Sequence, residues 1–413
     1  MSCSKLFSGD LPELTNEIIK NFQNDYSTLY SCVLVNRLWC RLAIPLLWEN
    51  PFSIPTGNYN FIEVYLYNLN DCLKSKLNEY HITDHYLLPS NTLFNYPSFI
   101  RYLSMCKIAS SIDRWLEAND IIPKLNNRYS ESIFEFKSLV EMSLIKLFVE
   151  NEANLHTFEI KTDTYYNKYC DNILESILQN PNFINKIGNL KISILCSNTS
   201  TNDRISQIIN SHQNLKRITL GCVGYDTLSF YQSLLLSKES NCSNTLNTII
   251  FYYIDLKVFS LIENIKQNLN YLSTSVGNCQ DSNIELILQN LGQTLPSKLE
   301  YLSLVLYYIK ANDFGVFLKN SQDTFFKKLL INNMTREYNN DIDILPYIKE
   351  YIMKKKRVKY LAIKNTFTLG FNGNDIDLSN SKDEVKEFKS HNIKVQSYIN
   401  LSTNIYNFVN EIN

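Results

Sequence analysis

The sequence has few of the residues from which catalytic and metal centres are built. Among 413 residues there are five histidines and ten glycines. The ten cysteines are scattered from Cys3 to Cys279 without a C-x-x-C pair, so the ligand spacing of a zinc site is missing. The start of the chain lacks the apolar core of a signal peptide. These features predict free, mostly buried thiols in a reducing compartment, cytoplasmic or nuclear.

The chain also lacks a charge excess and a long apolar run. Its 40 basic residues balance 41 acidic ones, so charge gives no reason to expect nucleic acid or an anionic membrane as a partner. No run of about 18 apolar residues occurs, and no membrane span is expected. Apolar residues nevertheless make up 45% of the chain, which predicts folded domains rather than disorder.

The few features that could carry chemistry have simpler interpretations. His81 and His85 are spaced to share a helix face, but no cysteine pair accompanies them, and we interpret them as solvated surface. Gly370–Asn374 lacks the Lys-Ser/Thr of a phosphate loop and predicts a turn. Lys354–Arg357 follows a helical stretch ending near Met353, where cations complement the helix dipole; nuclear import or an acidic partner is the alternative. No cysteine or serine has the setting of a nucleophile, so the sequence predicts neither an enzyme nor a cofactor or metal site.

Residues 8–50 have the pattern of a small helical module. Asp10 can cap a helix that has Pro12 in its first turn. A second helix is predicted to begin near Ser27, and a third to contain Trp39 and to reach its final or kinked turn at Pro45. A unit of about forty residues cannot bury all of its apolar side chains by itself. Another surface is therefore expected to cover part of the module.

Residues 51–150 are predicted to form a helical linker region. Pro51, Pro55 and Gly57 indicate a break after the first module. Short amphipathic helices are expected beyond it, including one over Pro97–Ile108. The dense aromatic residues of this region are expected to pack between the two ends of the chain.

Residues 151–413 contain a repeat. Each copy has apolar residues at i, i+3 and i+5 in a short strand, followed by a helical stretch, and the mean spacing of about 29 residues lies within the range of leucine-rich repeats. The clear copies begin at Leu155, Ile187, Leu215, Leu246, Leu299, Phe326 and Val358, with a degenerate copy at Leu269/Leu272 and another near Ile393/Val395. Stacked units close a continuous core, so the sequence predicts an α/β solenoid of strand–helix units. An array of helices alone is the alternative fold.

The N-terminal pattern resembles a known motif. Leu11-Pro12-Glu13-Leu14 and Ile18, followed by Leu29, Val33, Val35-Asn36-Arg37-Leu38-Trp39 and Leu42-Ala43, resemble the F-box, in which an "LP" opening precedes spaced aliphatic residues and a "V-C/N-R-x-W…L" segment. The match covers about Leu11 to Trp48. The whole chain resembles the F-box/leucine-rich-repeat proteins expanded in fungi, and Tyr96–Leu103 is also similar to them.

The resemblance implies a scaffold in an SCF-type ubiquitin ligase. The F-box would bind a Skp-type adaptor, and through it a cullin, while the repeats would recruit a protein substrate. The positions expected to bind the adaptor are Leu11, Pro12, Leu14, Ile18, Leu29, Val33, Val35, Trp39 and Leu42. Two alternatives stay open: these residues form an intramolecular helical core, or the helices cap the solenoid of a structural or regulatory repeat protein unrelated to ubiquitin.

The chain departs from the family pattern in two places. The repeats lack a regular Asn or Cys ladder after each strand, for which Cys196, Cys222, Asn333 and Asn365 are irregular candidates. Asn36 stands where many F-box proteins have cysteine. The first departure makes the repeat resemblance weaker than the F-box resemblance, and the second is a mild substitution that leaves adaptor binding expected.

The repeat phase also predicts a binding surface. If positions i, i+3 and i+5 point into the core, positions i+2, i+4 and i+6 lie on the opposite, concave face. Tyrosine recurs there, as is common in protein-binding surfaces, although these residues also simply favour strands. The residues predicted to contact a substrate are Arg217, Thr219, Tyr252, Tyr301, Lys328, Asn332, Tyr360 and Lys364.

Overall fold

A computed structural model of the chain describes residues 11–54, 59–80, 92–119, 121, 129–162, 167–194, 199–222, 244–252, 258–277, 284–335, 343–367 and 375–402. The chain divides into two compact units, Met1–Leu190 and Lys191–Asn413. In both units, mostly parallel strands alternate with helices. The predicted α/β class is confirmed, and the all-helical alternative is wrong.

The first unit begins with helices and then alternates strands and helices. Its helices are α1 (Pro12–Lys20), α2 (Tyr26–Val33), α3 (Arg37–Leu47), α4 (Phe61–Tyr67), α5 (Asp71–Asn78), α6 (Met105–Ala118), α7 (Tyr129–Glu150), α8 (Asn167–Leu178) and α9 (Pro181–Lys186). Its strands are β1 (Tyr102–Ser104) and β2 (Thr157–Thr162), and β3 (Asn189–Ile194) crosses the boundary between the units.

The second unit continues the alternation. Its helices are α10 (Thr199–Ser211), α11 (Val258–Ile265), α12 (Ile284–Thr294), α13 (Ala311–Asn320), α14 (Leu345–Ile348), which continues into a wide turn over Lys349–Met353, and α15 (Lys382–Ser390). Its strands are β4 (Arg217–Cys222), β5 (Thr248–Phe251), β6 (Tyr271–Val276), β7 (Tyr301–Tyr307), β8 (Phe326–Thr335), β9 (Val358–Phe367), β10 (Ile376–Asp377) and β11 (Lys394–Val395).

Local polar caps position the second and third helices. The Asp25 carboxylate accepts a hydrogen bond from the Thr28 amide at 3.1 Å at the start of α2, and the Asn36 side chain accepts one from the Trp39 amide at 3.0 Å at the start of α3. Pro45 lies in the last turn of α3, as its ring requires. Asn36 is thus an N-cap, a role that cysteine does not fill well. The predicted cap at Asp10 lies outside the described residues.

The expected helix over Pro97–Ile108 is wrong. The segment forms a 3₁₀ turn at Tyr96–Phe99 and then β1, which pairs in parallel with β2. The reason is visible in the spacing of Ile100, Leu103 and Met105, which is the i, i+3, i+5 pattern of the repeat, and all three side chains are buried. Helix α6 begins only at Met105. A strand–helix unit therefore precedes the copy at Leu155.

The repeat pattern describes the packing of the strands. Every residue at i, i+3 and i+5 of the seven clear copies is buried, as are Leu269 and Leu272 of the degenerate copy. From β4 to β9 each strand pairs in parallel with the next. The i+3 positions form one continuous row across these strands, which consists of Ile218, Ile249, Leu272, Leu302, Leu329 and Leu361.

Beyond β9 the pattern changes. The edge of β9 that does not pair with β8 pairs with β10 in antiparallel and with β11 in parallel orientation. Ile393, in the last expected copy, is buried, and its short strand β11 continues the parallel order beside β9, with Val395 in register with Leu361. Two ion pairs join α15 to the preceding helical segment, from Lys349 Nζ to Glu384 at 2.6 Å and to Glu387 at 2.8 Å.

Two of the irregular candidates for an asparagine or cysteine ladder are in contact. Asn333 and Asn365 face each other in the register of β8 and β9, and the Asn333 amide donates to the Asn365 side-chain oxygen at 3.1 Å. The β7 residue in register with Asn333 is Leu306, so the pair does not extend to that strand. Cys222 ends β4, and Cys196 lies outside the described residues.

The expectations about membrane spans, metal sites and the histidine and glycine motifs can be compared with the structure only in part. Among the described residues, none of the helices combines the length and apolar content needed to cross a membrane. Within the same ranges, His, Cys, Asp and Glu side chains form no group of three or more that could hold a metal ion. His81, His85 and Gly370–Asn374 lie outside the described residues.

The charge run at Lys354–Arg357 contains one buried structural residue. The Arg357 guanidinium donates to the main-chain oxygens of Leu318 at 3.2 Å, Thr324 at 3.0 Å and Ser321. These oxygens lie at and beyond the end of α13, where helix carbonyls lack intrahelical partners. Burial lowers the pKa of the Arg357 guanidinium to about 10, which still leaves it charged at neutral pH. Arg357 therefore acts as a cap between repeats.

Replacing Arg357 tests this role. In Arg357→Met the side chain keeps much of its length, but the three carbonyl oxygens lose their buried donor. We expect the free energy of unfolding to fall by about 1–3 kcal/mol, measured by urea denaturation. Lys354→Met, at an exposed position of the same run, is the control and should change stability by at most about 0.5 kcal/mol. Equal stability of the two variants would contradict the capping role.

A second buried charge lies in the first unit. Glu49 accepts a hydrogen bond from the Gln23 side chain at 2.7 Å, and its carboxylate lies 3.8 Å from the Arg101 guanidinium. Its main-chain oxygen accepts the amides of Arg101 and Tyr102 at 3.0 and 3.3 Å. Burial raises the pKa of the Glu49 carboxyl, and the contacts with Gln23 and Arg101 only partly oppose it.

Stability of the first unit should therefore depend on the charge of Glu49. Because the pKa is raised on folding, the favourable contribution of the protonated acid is complete below the unfolded pKa and is lost as pH rises through the folded pKa. We expect Glu49→Gln, which can still accept from Gln23, to be more stable than the wild type at pH 7 and to lose this advantage below about pH 4. Thermal unfolding measured from pH 3 to pH 8 tests this. Glu263→Gln, at an exposed helical position, should show no such pH-dependent difference in stability from the wild type.

Candidate functional site

One face of the second unit brings the predicted substrate-binding residues together. Strand register places position i+2 of successive repeats side by side, and this first row consists of Arg217, Thr248, Tyr271, Tyr301, Lys328 and Tyr360, with Lys394 of β11 at its end. Position i+4 forms a second row, which consists of Thr219, Ile250, Ser273, Ser303, Leu330 and Ala362. Val305, Asn332 and Lys364 belong to a third row. We call these three rows the tyrosine face.

Cations and aromatic rings alternate along the first row. Lys328 Nζ lies 5.2 Å from the Tyr301 ring centroid and 6.0 Å from that of Tyr360, and Lys394 Nζ lies 5.8 Å from the Tyr360 centroid. These distances are those of cation–π contacts. Burial, and then the charge of Lys327, lowers the pKa of Lys328. Within the described ranges no carboxylate forms an ion pair with Lys328, whereas Lys364 pairs with Asp375 at 2.5 Å.

The other end of the tyrosine face has a different surface. Tyr252 follows the last residue of β5, and 55% of its side chain is exposed. Its ring lies against Gly221 of β4, where an added Cβ would approach the Tyr252 ring to 2.7 Å. The absence of a side chain at Gly221 therefore lets the Tyr252 ring approach the neighbouring strand closely.

The chain's own C-terminal segment covers the centre of this face. We define this segment as residues 396–402, which follow β11. The Gln396 amide donates to the Leu361 oxygen at 2.9 Å, and the Tyr398 amide donates to the Asp377 carboxylate at 2.7 Å. Leu401 is fully buried and packs with Tyr301, Leu330 and Ala362 in one cluster, against which Tyr271, Tyr360 and Tyr398 also pack.

Tyr398 extends the cover towards β6. Its hydroxyl forms a hydrogen bond with Ser303, and burial raises its pKa despite this bond. Burial also raises the pKa of Tyr271, and Tyr398 raises it further, whereas Ser273 and Arg217 oppose the shift. The two phenols thus share a desolvated site between the segment and the sheet.

Two expectations for the face are corrected by the structure. Tyr301 was expected to be exposed, but 1% of its surface is accessible, because Leu401 lies over it. Thr219 is also buried. The half-buried residues of the predicted substrate site are Arg217, Lys328, Asn332, Tyr360 and Lys364. Tyr252 is the one predicted contact that is largely open.

The predicted adaptor-binding residues divide between the inside and the outside of the N-terminal helices. Leu29 and Trp39 are buried in a core with Ile19, Cys32 and Ala43, so for these two the intramolecular alternative describes the structure. Val33 and Leu42 are half-buried and pack against that core.

The outer surface contains the remaining positions. Leu14 and Val35 are 43% and 45% exposed, and Pro12 is exposed as well. Leu11 and Ile18 are half-buried. Sequence reasoning missed Tyr30 and Leu34, which are 65% and 73% exposed. A sequence signal could have identified them. Each is an apolar residue in a helix, or in the bend after it, at a position outside the spacing of the buried residues.

Comparison with known proteins gives no further assignment. Neither models of protein families nor curated protein sequences match the chain. The exposed apolar surface of the N-terminal helices and the partly covered tyrosine face are therefore interpreted from their own geometry and from the motif in residues 11–48.

The Tyr398 hydroxyl gives a test of the cover. Because its pKa is raised on folding, its stabilising effect is complete below the unfolded value near pH 10 and is lost as pH rises through the folded value. Tyr398→Phe should lower stability by about 1 kcal/mol at pH 7 and should weaken the stability loss between pH 9 and pH 11, measured by urea denaturation. Tyr252→Phe, at the open end of the same face, is the control. A profile for Tyr398→Phe that parallels the wild type would contradict the buried hydroxyl contact.

Proposed function

We propose that this chain is the substrate-recognition subunit of an SCF-type cullin–RING ubiquitin ligase. In this proposal the N-terminal helices are an F-box that binds a Skp-type adaptor. The alternating strands and helices are a leucine-rich-repeat-like solenoid that binds a protein substrate. The chain is then a scaffold rather than an enzyme, because holding a substrate near a ubiquitin donor accelerates transfer by proximity.

The distribution of apolar surface in the N-terminal helices carries this proposal. Eleven large apolar side chains are exposed among the described residues, and four of them lie between Leu14 and Val35. The same helices already have a closed core around Leu29 and Trp39, so these four are not needed to hold the helices together. Concentrated exposed apolar residues are typical of a protein-binding surface.

The repeat geometry supports the second half of the proposal. Six successive strands, β4 to β9, pair in parallel in chain order and keep the same buried row. This order is what a stack of nearest-neighbour units produces. The Asn333–Asn365 hydrogen bond resembles one step of the ladder that supports the bend after each strand in leucine-rich repeats.

Adaptor capture tests the proposal directly. A purified Skp-type adaptor should bind the wild-type chain, and Leu34→Asp/Val35→Asp should weaken the binding at least about tenfold, because it places charge on an apolar surface. Affinity is measured by titration calorimetry or by surface capture. Melting temperature should stay unchanged, since both side chains are exposed.

Two further variants make the result specific. Leu93→Asp, at a position that is 92% exposed outside the N-terminal helices, should bind the adaptor as the wild type does. Trp39→Ala should lower the melting temperature, because it opens a cavity in the helical core. Any loss of adaptor binding by this variant should then follow from unfolding of the helices. An adaptor that does not bind the wild-type chain would sink the proposal.

One observation favours the alternative in which the helices cap the repeats. The main-chain oxygen of Glu49, just after α3, accepts the amides of Arg101 and Tyr102 at the start of β1. An end cap would be joined to the first strand in this way. The alternative predicts that deletion of residues 1–50 unfolds the strand–helix repeats, whereas a separate docking module can be deleted with little effect on the melting transition of the rest of the chain.

A further inference from the structure

The groove on the tyrosine face contains an intramolecular occupant. We propose that this groove is a peptide-binding site occupied in cis by residues 396–402 of the same chain. Its ligand in trans is an acidic protein segment in which an aromatic residue is followed three positions later by leucine. The inference rests on the proposed function only in identifying that ligand with a ubiquitination substrate. The groove and its occupant are features of the second unit itself.

The occupant is attached by few bonds compared with the repeats beneath it. Strand β11 pairs with β9 over two residues, whereas β8 and β9 are paired along almost their whole length, from Phe326/Val358 to Thr335/Phe367. Beyond β11, the main chain of the segment is held to the rest of the unit by Gln396 and Tyr398. Its outer side faces away, with Ile399 70% exposed. Such a segment can open locally while the repeats remain folded.

The groove selects a particular side-chain pattern. Its floor is Leu330 and Ala362, and its walls are tyrosine rings from β6, β7 and β9. Tyr398 and Leu401 are three residues apart in a helical turn in which the Leu401 amide donates to the Ser397 oxygen at 3.0 Å, so both side chains lie on one side of the turn. Rigid aromatic walls around an apolar floor are typical of peptide-recognition surfaces.

The charge of the groove is not matched by its occupant. Lys328 lies in the first row between Tyr301 and Tyr360 and has no carboxylate partner in the described part of the chain. The residues of the occupant between Gln396 and Ser402 are all uncharged. A trans ligand with a carboxylate at this place would add a charge-assisted hydrogen bond that the cis segment lacks. The acidic character of the ligand follows from this difference.

The cis segment sets a threshold for binding. A tethered competitor acts at an effective concentration in the millimolar range, so a neutral peptide in trans gains access only when the segment is weakened. A ligand that makes better polar contacts with the groove than the segment does can displace the segment, because the equilibrium shifts by the difference between the two affinities.

Hydrogen exchange of the intact chain tests whether the segment opens. Exchange is followed by mass spectrometry without any substitution. Amides of residues 396–402 should exchange at least about 100-fold faster than those of β8, because local opening leaves the repeats intact. Equal protection of the segment and β8 would mean that they open together and would overturn the proposal.

A fluorescent peptide with the sequence of residues 396–402 and blocked termini, which is neutral, tests the groove. We expect it to bind full-length Leu401→Ser at least about tenfold more tightly than the wild type, because the competitor is weakened. Ile399→Ser, a change at an exposed position of the same segment, is the matched control and should bind like the wild type. Failure of the peptide to bind Leu401→Ser, or equal binding to both variants, would overturn the cis-occupied groove.

A second peptide, with Asn400→Asp and Ser402→Asp, tests the ligand's charge. It should bind Leu401→Ser more tightly than the neutral peptide, and added salt should reduce the difference. Lys328→Met in the Leu401→Ser background should reduce the ratio of the two affinities to about one, because the charge that distinguishes the peptides is lost. Equal binding of the two peptides to Leu401→Ser would overturn the acidic ligand. Peptide binding by a chain that fails to capture the adaptor would reject the ubiquitin-ligase function and keep the groove.

Discussion

The row of aliphatic side chains from Ile218 to Leu361 is the contact on which the second unit depends. Each strand contributes one buried position at the same level of the sheet, and neither a strand nor its helix can bury that position alone. Burial of these side chains therefore fixes the register of every strand relative to the next. A one-residue shift would turn the whole set towards the opposite face. The same constraint orders the tyrosine face, because fixing one face of a strand fixes the other.

The end of such an array needs a different solution from its middle. After β9, the two-residue strands β10 and β11 share the remaining edge of β9, the first antiparallel and the second parallel to it. This arrangement satisfies main-chain groups that an open edge would expose. It also directs residues 396–402 back over the sheet, so the closure of the edge and the covering of the tyrosine face have one structural cause. Arg357 serves the interior of the array in a comparable way, because its guanidinium supplies donors where α13 ends.

Sequence periodicity could predict the parts of the fold that are set locally. The i, i+3, i+5 spacing located the strands from β2 to β9, because that spacing is the direct result of one buried face. It failed at Ile100, Leu103 and Met105, where a strand of three residues leads directly into α6 and the helical pattern dominates the window. It also could not distinguish Leu29 from Val35. Both are apolar residues at motif positions, and only the packing of α2 against α3 decides which one is enclosed.

The covering of Tyr301 by Leu401 is a contact between residues 100 positions apart, and no local pattern contains it. Its consequence for recognition follows from the composition of the two surfaces. The neutral segment makes apolar contacts with the floor of the groove, but it provides no charged group to pair with the lysine there. A competing ligand can then gain little from apolar contacts, which the segment already makes, and must gain from charge. Covering the face in this way protects an apolar strip from unselective association and makes polar complementarity the basis of selection.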